Sequence, residues 1–171
     1  FCSLFTFKQA AAEYHFQQAQ QFKSQGEVNA MIESYEAATK DMKNIYAYWE
    51  EFGMNTFDFS TGSTDIEVVK YLLSKSIYAY QKAYELVQTQ PYLQANLGLS
   101  YTVYAVVLDA GGNALEASQA RQEGENFYKE AVELGVNNPL YAYNYGLLLM
   151  GLHRYDEARD AFLHILTFRD P

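Results

Sequence analysis

Ser76–Tyr101 reads SIYAYQKAYELVQTQPYLQANLGLSY, and Gly124–Leu149 reads GENFYKEAVELGVNNPLYAYNYGLLL. Slid by 48 residues, the two stretches align without a gap. Tyr80, Ala83, Glu85, Leu86, Pro91, Asn96, Gly98 and Leu99 meet Tyr128, Ala131, Glu133, Leu134, Pro139, Asn144, Gly146 and Leu147. Eight identities in 26 positions exceed chance severalfold. A repeat of this length points to supersecondary units that bury their apolar faces on one another.

The unit is a helical hairpin. Ile66, Val69, Leu73, Ile77, Tyr80, Tyr84 and Val87 are three or four residues apart, one stripe of an α-helix. Phe127, Tyr128, Ala131 and Leu134 have the same period. No alternating β-branched run appears, so strands are not expected. Thr64–Glu67 and Asn113–Glu116 have the form of capping boxes. Pro91 and Pro139 suit the first turn of a helix, where a missing N–H costs little. Gly26, Gly53, Gly111, Gly112 and Gly151 are read as turns. The spacing predicts eight helices, over 7–24, 28–42, 45–58, 65–88, 91–109, 114–135, 139–151 and 155–168. Gly53 and Asn55 interrupt the third.

The stretch NPLYAYNYGLLLMGLHRYDEARDAFLHIL, 138–166, then resembles a tetratricopeptide repeat. Gly146 stands where the first helix meets its partner, Tyr155 after the turn, Ala158 at the crossing and Phe162 four later. GEVNAMIESYEAA, from Gly26, resembles the second half of that motif, with Tyr35 and Ala38, and Met31 in place of the small residue. Tyr80 with Ala83 and Tyr128 with Ala131 complete the set. A small residue lets two helices approach, and the aromatic fills the space beside it. The resemblance implies an all-α fold, a right-handed superhelix of about four such hairpins (an α-solenoid). Its middle hairpins are elongated through Phe57–Thr64 and Val106–Arg121. Residues 1–10 would be an apolar N-terminal arm and 11–171 the repeat domain.

Composition sets the bounds of function. The chain has 171 residues, 49% hydrophobic and 19% charged, which argues against disorder. Twelve Lys and Arg against 21 Asp and Glu give a net charge of −9, a poor match for nucleic acid. One cysteine, Cys2, excludes an internal disulfide and a multi-cysteine zinc site. The chain begins with Phe1, which reads as processed or cut from something longer. The run 1–7 is far shorter than the ~20 residues that span a bilayer. Membrane contact is expected only if the chain belongs to a longer one.

No catalytic constellation, metal set or cofactor motif stands out. His15, His153 and His164 are scattered and read as surface or cap residues. Glu50, Glu51, Glu123, Glu125, Asp156 and Glu157 read as solvated helix faces rather than an acid and base pair. Gly111, Gly112 and Asn113 read as a plain helix connection. Tyrosine is abundant, 16 residues. Tyr35, Tyr80, Tyr101, Tyr128, Tyr145 and Tyr155 fall on motif positions. Tyr46, Tyr48, Tyr78, Tyr84, Tyr92, Tyr104, Tyr141 and Tyr143 exceed that need. They are assigned to extra core, to a protein interface, or to stacking on sugars.

In this repeat family the first helix of each hairpin lines a concave groove. Carried over, Phe16, Gln20, Tyr92, Ala95, Leu99, Tyr143, Leu147 and Met150 would face it. The Lys and Asn set that clamps a terminal carboxylate in some members is missing, so an apolar segment suits this groove. Solenoid ends need a polar outer face. Here the last helix offers Leu163, Ile165 and Phe168, and the N-terminus offers Phe1, Leu4, Phe5 and Phe7. Head-to-tail contact between unlike surfaces closes rings or grows filaments.

The expectation is a non-enzymatic scaffold for a protein or peptide partner, self-assembling end to end as a homo-oligomer. The layout also resembles the tails that follow the membrane domain of bacterial O-antigen ligase-like proteins, which would make catalysis external to this chain. A carbohydrate-binding module is a third reading. The expected location is extracytoplasmic or extracellular, with the cytoplasm as the alternative.

Overall fold

The computed structural model describes residues 2–166, with side chains from residue 6 onward. Among the described residues there are eight α-helices and no strand. They are α1 (Cys2–Gln25), α2 (Val28–Asp41), α3 (Tyr46–Thr61), α4 (Ile66–Leu86), α5 (Pro91–Ala110), α6 (Ala114–Leu134), α7 (Pro139–Gly151) and α8 (Tyr155–Ile165). They pair in sequence as four hairpins, two in each of two compact units, Phe1–Val87 and Gln88–Pro171. The fold is all-α and of the helical-hairpin repeat type. The extra length of the middle hairpins is helix rather than loop, because α3 continues to Thr61 and α5 to Ala110.

Local chemistry accounts for the boundaries. Pro91 and Pro139 begin α5 and α7. Asn138 caps α7 by accepting from the Leu140 N–H at 3.1 Å. Gly26 adopts φ +74, the left-handed turn that ends α1. The cap of α4 is Asp65, not Thr64: its Oδ1 accepts from the N–H groups of Glu67 and Val68 at 2.9 and 3.3 Å. Asn113 precedes α6 without a side-chain capping bond. Segment 2–10, expected as an arm, is the start of α1 itself.

Gly53 is the instructive miss. It does not break α3. A Cβ there would lie 2.8–3.0 Å from the Tyr80 ring, so the missing side chain is what lets α4 press against α3. Gly98 receives Tyr128 in the same way, and Gly146 receives Phe162. The residue four before each aromatic is small for a matching reason. Ser76 Oγ donates to the Gly53 carbonyl at 2.8 Å. A Cβ on Gly124 would come within 3.1 Å of the Gly98 carbonyl, and Ala158 is buried at the last crossing. The elongated third hairpin closes with Ala105, Leu108, Ala117 and Ala120 buried together, Tyr101 and Tyr104 packing beside them.

Candidate functional site

The last hairpin carries the most conspicuous open surface. On α7, Leu140, Tyr143, Leu147 and Met150 recur at helical spacing and are 55%, 46%, 46% and 45% exposed. Met150 continues into a groove of about 490 Å³ lined by Tyr155, Ala158, Phe162, Leu163 and Leu166. Single exposed apolar residues are ordinary; a contiguous patch is not.

The 48-residue register explains this patch. Leu140, Tyr143, Leu147 and Met150 of α7 correspond to Tyr92, Ala95, Leu99 and Thr102 of α5. Those α5 residues are covered by α7. Tyr141 packs on Ala95 and Ala131, with Tyr92 and Val132 alongside. Leu99 and Thr102 share a hollow of about 190 Å³ with Asn144, Leu147 and Leu148. So α7 repeats the stripe that α5 uses; Tyr143 leans on Phe162 of α8 at 5.9 Å and Leu147 borders the hollow toward α5, yet all four residues stay about half exposed.

A second regularity concerns the residue five before two of the crossing positions; before Gly98 that residue is the buried Leu93. Tyr141 stands five before Gly146, and Tyr48 five before Gly53. Both are buried against alanines of the preceding hairpin, Tyr48 on Ala12 and Ala38 and Tyr141 on Ala95 and Ala131. In α1 the buried Ala19 precedes Tyr35 by 16 residues, as Gly146 precedes Phe162. Five before Ala19 is Tyr14, which is 62% exposed.

The other expected groove residues are placed differently. Phe16 is half-buried, stacked on Tyr48 at 4.6 Å and edge-on to Tyr35 at 5.9 Å. Gln20 is spent internally: its Nε2 donates to the Tyr35 hydroxyl at 2.7 Å and to Glu51 at 3.0 Å. Asn55 Nδ2 donates to the same hydroxyl at 2.5 Å, while its Oδ1 is buried without a partner. Burial, with Glu51 nearby, pushes the Tyr35 phenol above its ordinary range. Tyr48 donates to Glu13 at 2.9 Å, and burial with that bond pushes its phenol up to about 12. Tyr92 and Leu99 are half-buried under α7.

Of the expected terminal residues, Phe7 is 71% and Leu163 51% exposed, and Ile165 is half-buried. The side chains of Leu4 and Phe5, and all of Phe1 and Phe168, lie outside the described residues.

One carboxylate assigned to a solvated face is structural. Glu125 is 5% exposed, pairing with Lys129 and Arg154 at 2.7 Å each. Burial alone would raise its carboxyl; the two cations outweigh that and hold it below the ordinary glutamate range. Arg154 also forks onto Glu157 at 2.5–2.6 Å. The network ties α6 to the α7–α8 turn. Sequence alone shows no sign of it, since Glu125 and Arg154 are 29 residues apart. Among the described residues no group of three or more His, Cys, Asp or Glu is placed to hold a metal ion. Nor is any of these helices long and apolar enough to cross a membrane.

Against this geometry, neither protein-family models nor curated proteins give a match. Solved structures do. The chain is similar to a thermophilic TPR protein of Thermus thermophilus, at a TM-score of 0.61 and 18% identity, over 92% of this chain and 73% of that one. It is similar to PilF of Pseudomonas aeruginosa at a TM-score of 0.56 and 14% identity, over 94% of this chain and 62% of that one. The chain thus spans less than two thirds of PilF. At these identities the likeness shows the tetratricopeptide fold.

Proposed function

We propose that this protein is a non-catalytic interaction scaffold that associates end to end, the last hairpin of one copy receiving the first helix of another. One observation carries the reading. The acceptor stripe of α7 and the donor tyrosine of α1 stand at the register positions that are joined inside the chain, and both are exposed. Tyr14 of one copy would seat against Tyr143 and Ile165 of the next, as Tyr141 seats against Ala95 and Ala131. Phe7, two turns before Tyr14 on the same face of α1, would extend the contact toward Leu163. Such a joint is heterologous, so copies add without limit or close into a ring. Ile165 fills a position that is alanine inside the chain, so the seat is shallower and the joint weaker than the internal ones.

Light scattering coupled to size exclusion tests this across concentration. The mass should rise above that of one chain by ~100 µM, an ordinary range for a small interface. Leu147→Glu and Tyr14→Lys should each return it to one chain, because either charge would be buried without a partner at the joint. One-chain mass at every concentration for the unaltered protein rejects the end-to-end joint.

A further inference from the structure

The chain is acidic, yet one cleft gathers a quarter of its twelve Lys and Arg. It lies in the first unit, between α2, the turn after it, α3 and α4. Its volume is about 550 Å³. Lys40 stands in the last turn of α2, Lys43 follows in the turn to α3, and Lys82 projects from α4. Trp49, Tyr78 and Leu86 supply the walls.

The charge in the cleft is positive once the pairs are taken out. Glu85 is bound by Lys82 at 2.7 Å, and Glu36 by Lys75 at 2.5 Å from outside the cleft. Lys40 and Lys43 are exposed, and their ammonium groups make no ion pair among the described residues. The helix macrodipole favours a cation at the end of α2, which accounts for Lys40. It does not account for Lys43 beyond the helix, or for the ring walls.

Ring geometry sets the chemistry of the occupant. Trp49 and Tyr78 meet edge to face, with centroids 5.8 Å apart. Trp49 is 8% exposed and its Nε1–H is committed to the Lys43 carbonyl at 2.8 Å. The Thr39 hydroxyl is likewise committed, to the Tyr35 and Glu36 carbonyls. Sugar recognition needs open ring faces and free hydrogen-bonding groups. The cleft has one open ring, Tyr78, at 47% exposed, and with Thr39 and Trp49 committed its neutral polar groups are reduced to Asn44 and the Tyr78 hydroxyl. What remains is an apolar floor rimmed by ammonium groups.

We infer that this cleft binds an acidic peptide segment of a partner protein, an apolar side chain seated against Trp49 and Tyr78 and carboxylates held by Lys40 and Lys43. The site is independent of the end-to-end joint, and its failure would leave that reading intact. Trp49 is the one tryptophan of the chain, so its emission reports occupancy directly.

The test is a fluorescence titration of the full chain with the blocked peptide acetyl-Asp-Glu-Phe-Glu-Asp-Glu-amide. Expected are a saturable change in Trp49 emission and weakening as salt rises, since exposed charge pairs are screened beyond ~10 Å at 0.1 M. Lys40→Glu with Lys43→Glu should weaken binding by about tenfold or more, and Tyr78→Ala by about tenfold. All three residues are exposed, so circular dichroism should show unchanged helix content. A peptide with Asn and Gln in place of the acids should not bind. No saturable change up to ~1 mM, or equal binding to the charge-reversed variant, overturns the inference. Saturation by oligogalacturonate but not by the peptide overturns it in favour of an acidic sugar.

Discussion

Gly53→Ala isolates the contact on which the hairpin packing rests. The new Cβ would meet Tyr80 Cγ, Cδ2 and Cδ1 at 2.8, 2.9 and 3.0 Å. Carbon atoms in contact sit ~3.5–4.0 Å apart, so the ring must retreat by roughly 0.7 Å. It has nowhere to go: Tyr80 is 3% exposed, and Cγ is the ring atom nearest its own backbone. Overpacking of this kind costs ~1–3 kcal/mol, and contact at Cγ puts it in the upper half of that range. Alanine offsets ~1 kcal/mol of this through its helix preference over glycine. The net loss should be ~1–2 kcal/mol. In a Tyr80→Ala background the obstruction is gone and only the helix preference remains. There the same substitution should stabilise by up to ~1 kcal/mol, a coupling of ~2–3 kcal/mol between the two sites. Urea unfolding followed by Trp49 emission measures all four proteins, and Trp49 lies on α3 one turn before Gly53. Additivity of the two substitutions within ~0.5 kcal/mol would refute the packing argument, as would stabilisation by Gly53→Ala alone.

Glu125→Gln removes the one nearly buried charge from the α6–α8 network. Lys129 and Arg154 keep water on their outer sides, so the cost should be ~1–2 kcal/mol, below that of breaking a fully buried pair. Because the folded carboxyl titrates below its ordinary value near ~4.3, its stabilisation is present above that pH and fades as pH falls through the lower folded value. Thermal melts between about pH 3 and 6 should therefore show a shallower acid loss in the variant; identical acid limbs would count against the network. Gly26→Ala meets no neighbour within 4 Å but must hold φ +74, so it should cost ~1 kcal/mol from backbone strain alone in the same urea assay. Asp65→Ala strips the cap of α4 and should cost ~1 kcal/mol, with Asp65→Asn close to neutral.

The sequence alone determined the helices and their order, because those signals are local. Proline at a first turn, an apolar stripe at three and four, and a glycine where φ turns positive act within a few residues. The 48-residue register carried the repeat and aligned Gly98 with Gly146, whose contacts with Tyr128 and Phe162 the structure supplies. Other assignments depended on residues distant along the chain. Gly53 reads locally as a helix breaker and becomes a contact only when Tyr80 arrives, 27 residues later. Gln20 and Glu125 read as surface groups until Tyr35, Glu51 and Arg154 claim them. The surplus tyrosines divide the same way: Tyr48 and Tyr141 are buried, while Tyr46, Tyr78 and Tyr143 remain exposed at 38%, 47% and 46%. Tyr155, given to the motif, is 61% exposed. Helix periodicity says which residues share a face, but only packing against another helix says which face water keeps. That is why the lysine cleft, assembled from α2, the turn after it, α3 and α4, came from tertiary structure alone, whereas Tyr143, Leu147 and Met150 were legible as one face and only their exposure was not.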